Sequence, residues 1–231
     1  MKFGIIGAGQ IGGTLTRQLC ALGHKVCVAN SRGPDTLSAL ATETGARAVT
    51  ASDAVREADL VILTIPEARV RELPKDLFSS LPSNVPVIDT GNYYPRERDG
   101  QILGIEQGLP ESQWVEQEIG HPVIKAFNNI YAKQLLELGK PADTPGRIAL
   151  PIAGDIPLIK SIVMAMVNEL GFDPVDAGVL ADSWRQQPGS PVYCTDLSTA
   201  GVVNALAKAK RERSPQWTAT RHSPGSFDAP A

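Results

Sequence analysis

The stretch that decides the fold is KFGIIGAGQIG, Lys2–Gly12, which begins at the second residue of the chain. A short apolar run leads into three glycines, Gly7, Gly9 and Gly12, with the spacing G-x-G-x-x-G. The residues that follow repeat apolar side chains at helical spacing. A glycine pattern of this kind is specific when it joins a strand to a helix, and both elements are predicted here.

Each glycine of this turn has a separate physical purpose. Gly7 allows a tight turn, Gly9 lets the backbone approach a pyrophosphate, and Gly12 lets the helix pack closely on the sheet. The start of the helix offers free N–H groups and the positive end of its dipole. We therefore predict a dinucleotide site; the alternative is a glycine-rich turn that binds nothing. Its residues are Gly7, Ala8, Gly9, Gln10, Ile11 and Gly12.

The end of the second predicted strand indicates which dinucleotide is bound. A site for NAD usually has an acidic residue about 20 positions after the glycines, where it accepts hydrogen bonds from the ribose. This chain has Asn30 there, followed by Ser31 and Arg32. A guanidinium suits phosphate oxygens, and no carboxylate repels a 2′-phosphate. The pattern predicts NADP rather than NAD, unless Arg32 is a solvated loop residue and Asn30 a plain turn residue.

Strands and helices alternate along the first half of the chain. Apolar runs precede Gly7 and Asn30, and further runs occur at 46–50, 60–66 and 85–89. This order predicts an α/β fold with a doubly wound, mostly parallel Rossmann-type sheet. Ligands bind at the carboxyl ends of the strands in such sheets. The residues expected at that edge beside the glycine turn are Thr64, Ile65, Pro66, Thr90 and Asn92.

The second half of the chain predicts a small α/β C-terminal unit. Strand-like runs recur at 123–127, 147–153 and 172–176, and helices are expected at 157–171 and 195–211. We divide the chain into a dinucleotide-binding domain, a small domain that closes the cleft, and a tail rich in Pro and Ser that would be disordered alone. These parts are residues 1–122, 123–213 and 214–231.

Composition excludes several classes of function. A formal charge of −3 gives no reason to expect nucleic acid as a partner. The 3 cysteines lack the spacing of a zinc site or a redox pair. No apolar run approaches the length of a membrane span, and a strand at residue 2 argues against a signal peptide. We expect a cytoplasmic protein, with no membrane partner, that forms a homodimer.

Four pieces of sequence together resemble the deazaflavin (coenzyme F420)-dependent NADP reductase family. They are the glycine turn, Asn30–Arg32, the sequence LTIP at 63–66, and a group made of KAFNNI at 125–130, PIAGD at 151–155 and DAG at 176–178. The resemblance implies an enzyme that transfers hydride between NADPH and a second electron carrier, a deazaflavin, flavin or similar planar acceptor. It also implies that Thr64–Pro66 and Asn128–Ile130 flank the nicotinamide.

The segment after Gly178 departs from the family's pattern. Asp182–Tyr193 is polar and rich in turn residues, where an apolar lining is expected beside a deazaflavin. The acceptor is therefore left open. We place Trp184 and Arg185 at the mouth of the acceptor site, because an indole can stack on a planar ring and an arginine can hold an anion. The alternative is a packed aromatic residue beside a solvated arginine.

No catalytic residue is predicted. Hydride transfer between two ring cofactors requires close stacking and exclusion of water rather than an acid or base. Two other function classes stay open: an NADP-binding sensor without turnover, and a small-substrate dehydrogenase of the hydroxyacid or imine-reductase type. The second class usually needs a long helical domain, for which little chain remains after residue 176.

Overall fold

A six-stranded parallel sheet forms the centre of the protein, for which the computed structural model describes all 231 residues. Its strands are β1 (Lys2–Ile6), β2 (Lys25–Ala29), β3 (Arg47–Ala48), β4 (Leu60–Leu63), β5 (Val87–Asp89) and β6 (Val123–Lys125). They lie in the order β3-β2-β1-β4-β5-β6, so the direction of winding reverses between β1 and β4. This order is that of a Rossmann fold, and the predicted fold class is confirmed.

Two further strands, β7 (Ala149–Ile152) and β8 (Asp173–Asp176), pair in parallel as a second sheet. An antiparallel bridge joins the two sheets, with Lys125 N donating to Ala153 O at 2.9 Å and Ala153 N donating to Lys125 O at 3.1 Å. β6 therefore belongs to the first sheet, which extends beyond the boundary expected at residue 122.

Helices cover both faces of these sheets. They are α1 (Gln10–Ala21), α2 (Ser38–Thr44), α3 (Ala51–Arg56), α4 (Leu103–Glu106), α5 (Glu111–Ile119), α6 (Ala132–Glu137), α7 (Pro157–Glu169) and α8 (Thr199–Lys208). α1, α6 and α7 pack on one face and α3 and α5 on the other, while α8 packs against β7 and β8. No helix combines the length and the apolar character that a membrane crossing requires.

The strand β4 shows why the sheet has two apolar cores. Leu60 and Ile62 point into the core beneath α1 and α7, while Val61 and Leu63 point into the core beneath α5. All four side chains are almost inaccessible to solvent. A continuous apolar strand is expected where helices cover both faces of a parallel sheet.

The ends of two helices are set by specific hydrogen bonds. α3 begins at Ala51, and Thr50 caps it by accepting a hydrogen bond from Asp53 N at 3.2 Å. The last helix is shorter than 195–211, since the carbonyl of Leu197 accepts from Ala149 N and holds the preceding residues against β7.

The tail, residues 214–231, packs on the rest of the chain. The ring of Trp217 lies 6.0 Å from that of Tyr94 and 6.2 Å from that of Tyr193. The carbonyl of Arg96 accepts hydrogen bonds from Gly225 N and Ala231 N. Trp217 thus docks the tail on the rest of the chain.

Candidate dinucleotide site

The carboxyl ends of five parallel strands meet at one edge of the sheet. The segments that follow these strands are the glycine turn after β1, Asn30–Arg32 after β2, Thr64–Pro66 after β4, Asn92 after β5 and Asn128 after β6. Parallel pairing brings these segments together although more than a hundred residues separate the first from the last. This edge is the place where Rossmann sheets bind ligands.

The three glycines of the turn have different surroundings. A side chain at Gly7 would lie 2.1 Å from the carbonyl oxygen of Thr64, and the positive φ of 107° there also favours glycine. A side chain at Gly12 would lie 2.0 Å from the carbonyl oxygen of Gly7. Gly9, by contrast, has no atom within 4 Å of the position a Cβ would take. Gly7 and Gly12 are therefore needed for packing, whereas Gly9 leaves space open to a ligand.

A cleft of about 600 Å³ opens at the start of α1. Gly9 caps α1 without a side-chain hydrogen bond, so the first N–H groups of the helix are free to bind an anion. Ala8, Gly9 and Gln10 line the cleft, whereas Ile11 packs against the core. The other lining residues are Gly13, Thr14, Arg17, Arg32, Thr36, Leu37, Ala39, Leu40, Glu43, Ala132, Lys133, Leu136 and Glu137.

The charged groups of this cleft are not equally available. Arg17 makes two hydrogen bonds with Glu43, at 2.6 and 2.8 Å, and this contact raises the pKa of Arg17 and lowers that of Glu43. Arg32 and Lys133 form no ion pair. Arg32 is therefore the free guanidinium beside the glycine turn.

Asn30 shapes the loop that carries Arg32. Its Oδ1 accepts a hydrogen bond from Arg32 N at 2.9 Å, and its Nδ2 donates to Thr36 Oγ1 at 2.9 Å. Thr36 in turn donates to the carbonyl of Gly33. Ser31 and Arg32 are exposed beyond this turn. Asn30 thus holds the loop in shape, in addition to being an uncharged residue where a carboxylate would repel phosphate.

Thr64, Ile65 and Pro66 are half-buried at the end of β4. Thr64 N donates to the carbonyl of Ile6, which extends the pairing of β1 and β4 to the rim. The Cγ2 atom of Thr64 also lies against the position that a Cβ of Gly12 would take, at 2.6 Å. These residues form one wall beside the glycine turn.

Asn92 and Asn128 bind each other across the rim. Asn92 Nδ2 donates to the carbonyl of Asn128 at 2.9 Å, and Asn128 Nδ2 donates to Asn92 Oδ1 at 3.1 Å. Asn128 Oδ1 also accepts from Gln186 Nε2 at 3.0 Å. Ile130 differs from the expectation, because its side chain is buried in the main core rather than exposed at the rim. Phe127, buried with a positive φ of 63°, sets the turn that presents Asn128.

A cluster of buried carboxyl groups lies behind this wall. Glu67, Asp89 and Glu111 are all within 2 % of complete burial. Neither carboxyl oxygen of Glu67 has a hydrogen-bond partner. Burial, together with the negative charges of Asp89, Glu111 and Asp99, raises the pKa of Glu67 well above its ordinary value. Burial in this cluster therefore favours the protonated, neutral form of Glu67.

Lys125 supplies the positive charge of this cluster. Its Nζ donates to the carbonyl of Gly91 at 2.6 Å and to Asp89 Oδ2 at 3.3 Å, and lies 3.7 Å from Glu111 Oε2. Burial alone would lower the pKa of Lys125, but the carboxylates around it outweigh that effect and raise it. Arg213 pairs with the other oxygen of Glu111 at 2.6 Å. The paired charges hold the ends of β5 and β6 together.

Trp184 and Arg185 lie away from the glycine turn. They belong to a 3-10 segment, Leu180–Gln186, that follows β8. Arg185 pairs with Asp182 at 2.6 Å. Trp184 lines a different cleft, which the C-terminal tail helps to form. The dinucleotide cleft therefore has neither residue among its lining groups.

Two comparisons place this chain among known proteins. Residues 2–93 match the family described as "NADP oxidoreductase coenzyme F420-dependent". The hypothetical protein SMa0349 from Sinorhizobium meliloti is 31% identical, with a TM-score of 0.71, over 85% of this chain and 95% of that one. The chain belongs to this family of NADP-binding Rossmann oxidoreductases. The family match includes the glycine turn, Asn30–Arg32 and Thr64–Pro66, but it ends before Asn128.

Two other proteins are similar to this chain, one over part of its sequence and one in its fold alone. Protein YjhV of Escherichia coli K12 is 45% identical over 71 residues, which are 31% of this chain and 52% of YjhV. The match thus spans about half the length of that relative. A protein from Arthrobacter sp. FB24, provisionally assigned as an F420-dependent NADP reductase, shares the fold at 20% identity and a TM-score of 0.65. That alignment covers 79% of this chain and 87% of the Arthrobacter protein.

Sequence reasoning missed three residues of this edge. Lys133 and Arg17 line the cleft from α6 and α1, and nothing in their local sequence marks them. Glu67 directly follows the LTIP sequence, and an acidic residue at that position is typical of the exposed first turn of a helix. Only its tertiary contacts bury it.

Proposed function

We propose that this protein is an NADP(H)-dependent oxidoreductase that transfers hydride between NADPH and a second planar electron carrier, such as a deazaflavin or a flavin. The observation that carries the proposal is the composition of one cleft. The open side of Gly9, the free N–H groups of α1 and the unpaired Arg32 all belong to it. Its volume of about 600 Å³ lies in the range typical of small-molecule sites.

The residues present fit an NADP molecule. The backbone at Gly9 and the start of α1 would hold the pyrophosphate, since no side chain fills that space. Arg32, with Ser31 beside it, would hold the 2′-phosphate. When bound, NADPH supplies the hydride. Ile65 and Pro66 offer half-buried apolar surface that would exclude water at the nicotinamide end, with Asn92 and Asn128 opposite them.

The architecture after β6 argues against a small-substrate dehydrogenase built on a long helical domain. That part of the chain forms two strands, the short helix α6, α7 and α8, and a docked tail. We further propose that the protein acts in the cytoplasm and forms a homodimer. Light scattering of the purified chain tests the dimer by measuring its molar mass.

The proposal is tested by mixing the purified protein with NADPH under anaerobic conditions and adding FMN, coenzyme F420 or a quinone in turn. We expect one of the acceptors to be reduced with loss of the near-ultraviolet absorbance of NADPH. A Gly9→Val variant is the control, because it should lose the dinucleotide site and keep the fold. Binding of NADPH without turnover would favour a sensor, and absence of NADPH binding would refute both functions.

A further inference from the structure

A second cleft lies between the segment that follows β8 and the start of the tail. Its volume is about 280 Å³, and it shares no lining residue with the dinucleotide cleft. Two indole rings, those of Trp184 and Trp217, belong to its walls. The remaining lining residues are Gln187, Pro188, Gly189, Ser190, Pro191, Lys208, Lys210, Arg211, Glu212, Arg213 and Ser214.

Positive charge is concentrated at this cleft. Four cations line it against one acid, Glu212, in a chain whose formal charge is −3. Lys208, Lys210 and Arg211 are exposed and form no ion pair, whereas Arg213 is paired with the buried Glu111. Cations that line a cavity without partners favour an anionic ligand.

Buried hydrogen-bond donors without acceptors surround the same cleft. Gln187 is 6 % exposed, and its Nε2 has no partner although its Oε1 accepts from Arg213 at 2.9 Å. Nη1 of Arg213, Nε1 of Trp217 and the hydroxyl of Ser190 are also buried without partners. Buried polar groups in proteins are almost always satisfied, so donors without a protein partner favour a ligand that supplies an acceptor.

The fold holds the indole of Trp217 firmly in this wall. Gly189 has a positive φ of 85°, and a Cβ there would lie 2.6 Å from Trp217 Cδ1 and Nε1. The absence of a side chain at Gly189 therefore permits the close contact. The rings of Tyr94 and Tyr193 lie 6.0 and 6.2 Å from the ring of Trp217.

We propose that this cleft is a second binding site, which takes a phosphate or carboxylate group attached to a planar aromatic ring. The lysines and arginines would neutralise the anion, and the indoles would contact the ring. The inference does not rest on the proposed function, since all the residues that carry it lie outside the dinucleotide cleft. The site borders the rim nonetheless, because Gln186, next to Gln187, binds Asn128.

Fluorescence of the full chain tests the proposal, with FMN and riboflavin as probes that differ by one phosphate. The chain has 3 tryptophans, of which Trp114, on α5, is buried in the core. We expect FMN to quench the fluorescence and to bind at least tenfold more tightly than riboflavin. Inorganic phosphate and citrate, added as competitors, distinguish a phosphate site from a carboxylate site.

Two variants locate the binding. The double variant Lys210→Gln, Arg211→Gln should bind FMN at least tenfold more weakly, because both substitutions remove a cation that would contact the anion. Its affinity for riboflavin should be unchanged. The matched control, Lys75→Gln with Arg56→Gln, neutralises one lysine and one arginine elsewhere on the surface and should have no effect. Trp217→Phe should remove much of the quenching.

Three results would overturn the proposal. Equal affinity for FMN and riboflavin would show that no anion is recognised. Unchanged FMN binding by the Lys210 and Arg211 double variant would place the ligand elsewhere. If saturating NADPH displaced FMN, and the Gly9→Val variant no longer bound FMN, the binding would be assigned to the dinucleotide cleft instead.

Discussion

Replacing Arg32 by alanine should weaken binding of NADPH and leave binding of NADH almost unchanged. Arg32 is exposed, has no ionic partner and makes no side-chain hydrogen bond within the protein. Its guanidinium is thus available to a 2′-phosphate, the group that NADH lacks. The loop around it is held by Asn30 and Thr36, so the substitution should not disturb the backbone.

The expected size of the effect follows from that exposure. A hydrogen bond to a charged group contributes about 1.5–3 kcal/mol, which corresponds to about 10- to 100-fold in affinity. Solvent screens an exposed guanidinium, so we expect the lower part of this range, and a smaller effect at high salt. The melting temperature should not change, because Arg32 makes no contact on which folding depends.

Isothermal titration calorimetry with NADPH and NADH, at low and high salt, measures both affinities. Arg56→Ala is a matched control, since Arg56 is an exposed arginine that lines a different cleft. The complementary variant Asn30→Asp keeps the oxygen that accepts from Arg32 N but adds a negative charge, so it should shift preference toward NADH. Equal losses for NADPH and NADH in Arg32→Ala, or no loss for either, would refute this account of the selectivity.

Three further predictions concern other parts of the chain. Gly9→Val should abolish NADPH binding with unchanged far-ultraviolet circular dichroism, whereas Gly12→Ala, whose Cβ would lie 2.0 Å from a backbone oxygen, should lower the melting temperature. The pKa of Glu67 is raised in the folded protein, so its contribution to stability depends on pH. This contribution is fully present below the unfolded pKa of about 4.3 and is lost as the pH rises through the folded pKa. Urea unfolding should therefore show the stability of Glu67→Gln rising relative to that of the wild type as the pH increases above about 4.3, by at most about 1.4 kcal/mol per pH unit; a constant difference would contradict the burial argument. Arg147→Met should lower the free energy of unfolding by about 1–3 kcal/mol, because Arg147 donates to Asn168, to Asp173 and to buried carbonyls; unchanged urea midpoints would show these bonds to be dispensable.

The sequence predicted the main sheet because its signals are local. The glycine turn and the apolar run of β4 each act within a few residues, and each had the predicted effect on the backbone. Parallel strands then gather their carboxyl ends at one edge without further information, which is why Thr64 and Asn92 could be expected beside Gly7.

The exceptions are residues whose surroundings come from distant segments. Ile130 was expected at the rim, but α6 and α7 enclose it in the core. Trp184 was expected at the mouth of an acceptor site, and the cleft that it lines is completed by residues from Lys208 to Trp217, more than twenty positions later in the chain. Neither local spacing nor residue type specifies such contacts.

The sequence alone therefore determined the fold class, the turn that can receive a dinucleotide, and the loop Asn30–Arg32, which has an arginine and no acidic residue and favours NADP. Only the tertiary structure decided which polar groups are buried and which cations are free. Glu67 lies 44 positions before Glu111 and 58 before Lys125, yet all three side chains are buried in one cluster. The pairing of Arg17 with Glu43, which leaves Arg32 free, is likewise a property of packed helices. Protonation and ion pairing depend on distances through space and on exclusion of water, and the order of residues along the chain specifies neither of them directly.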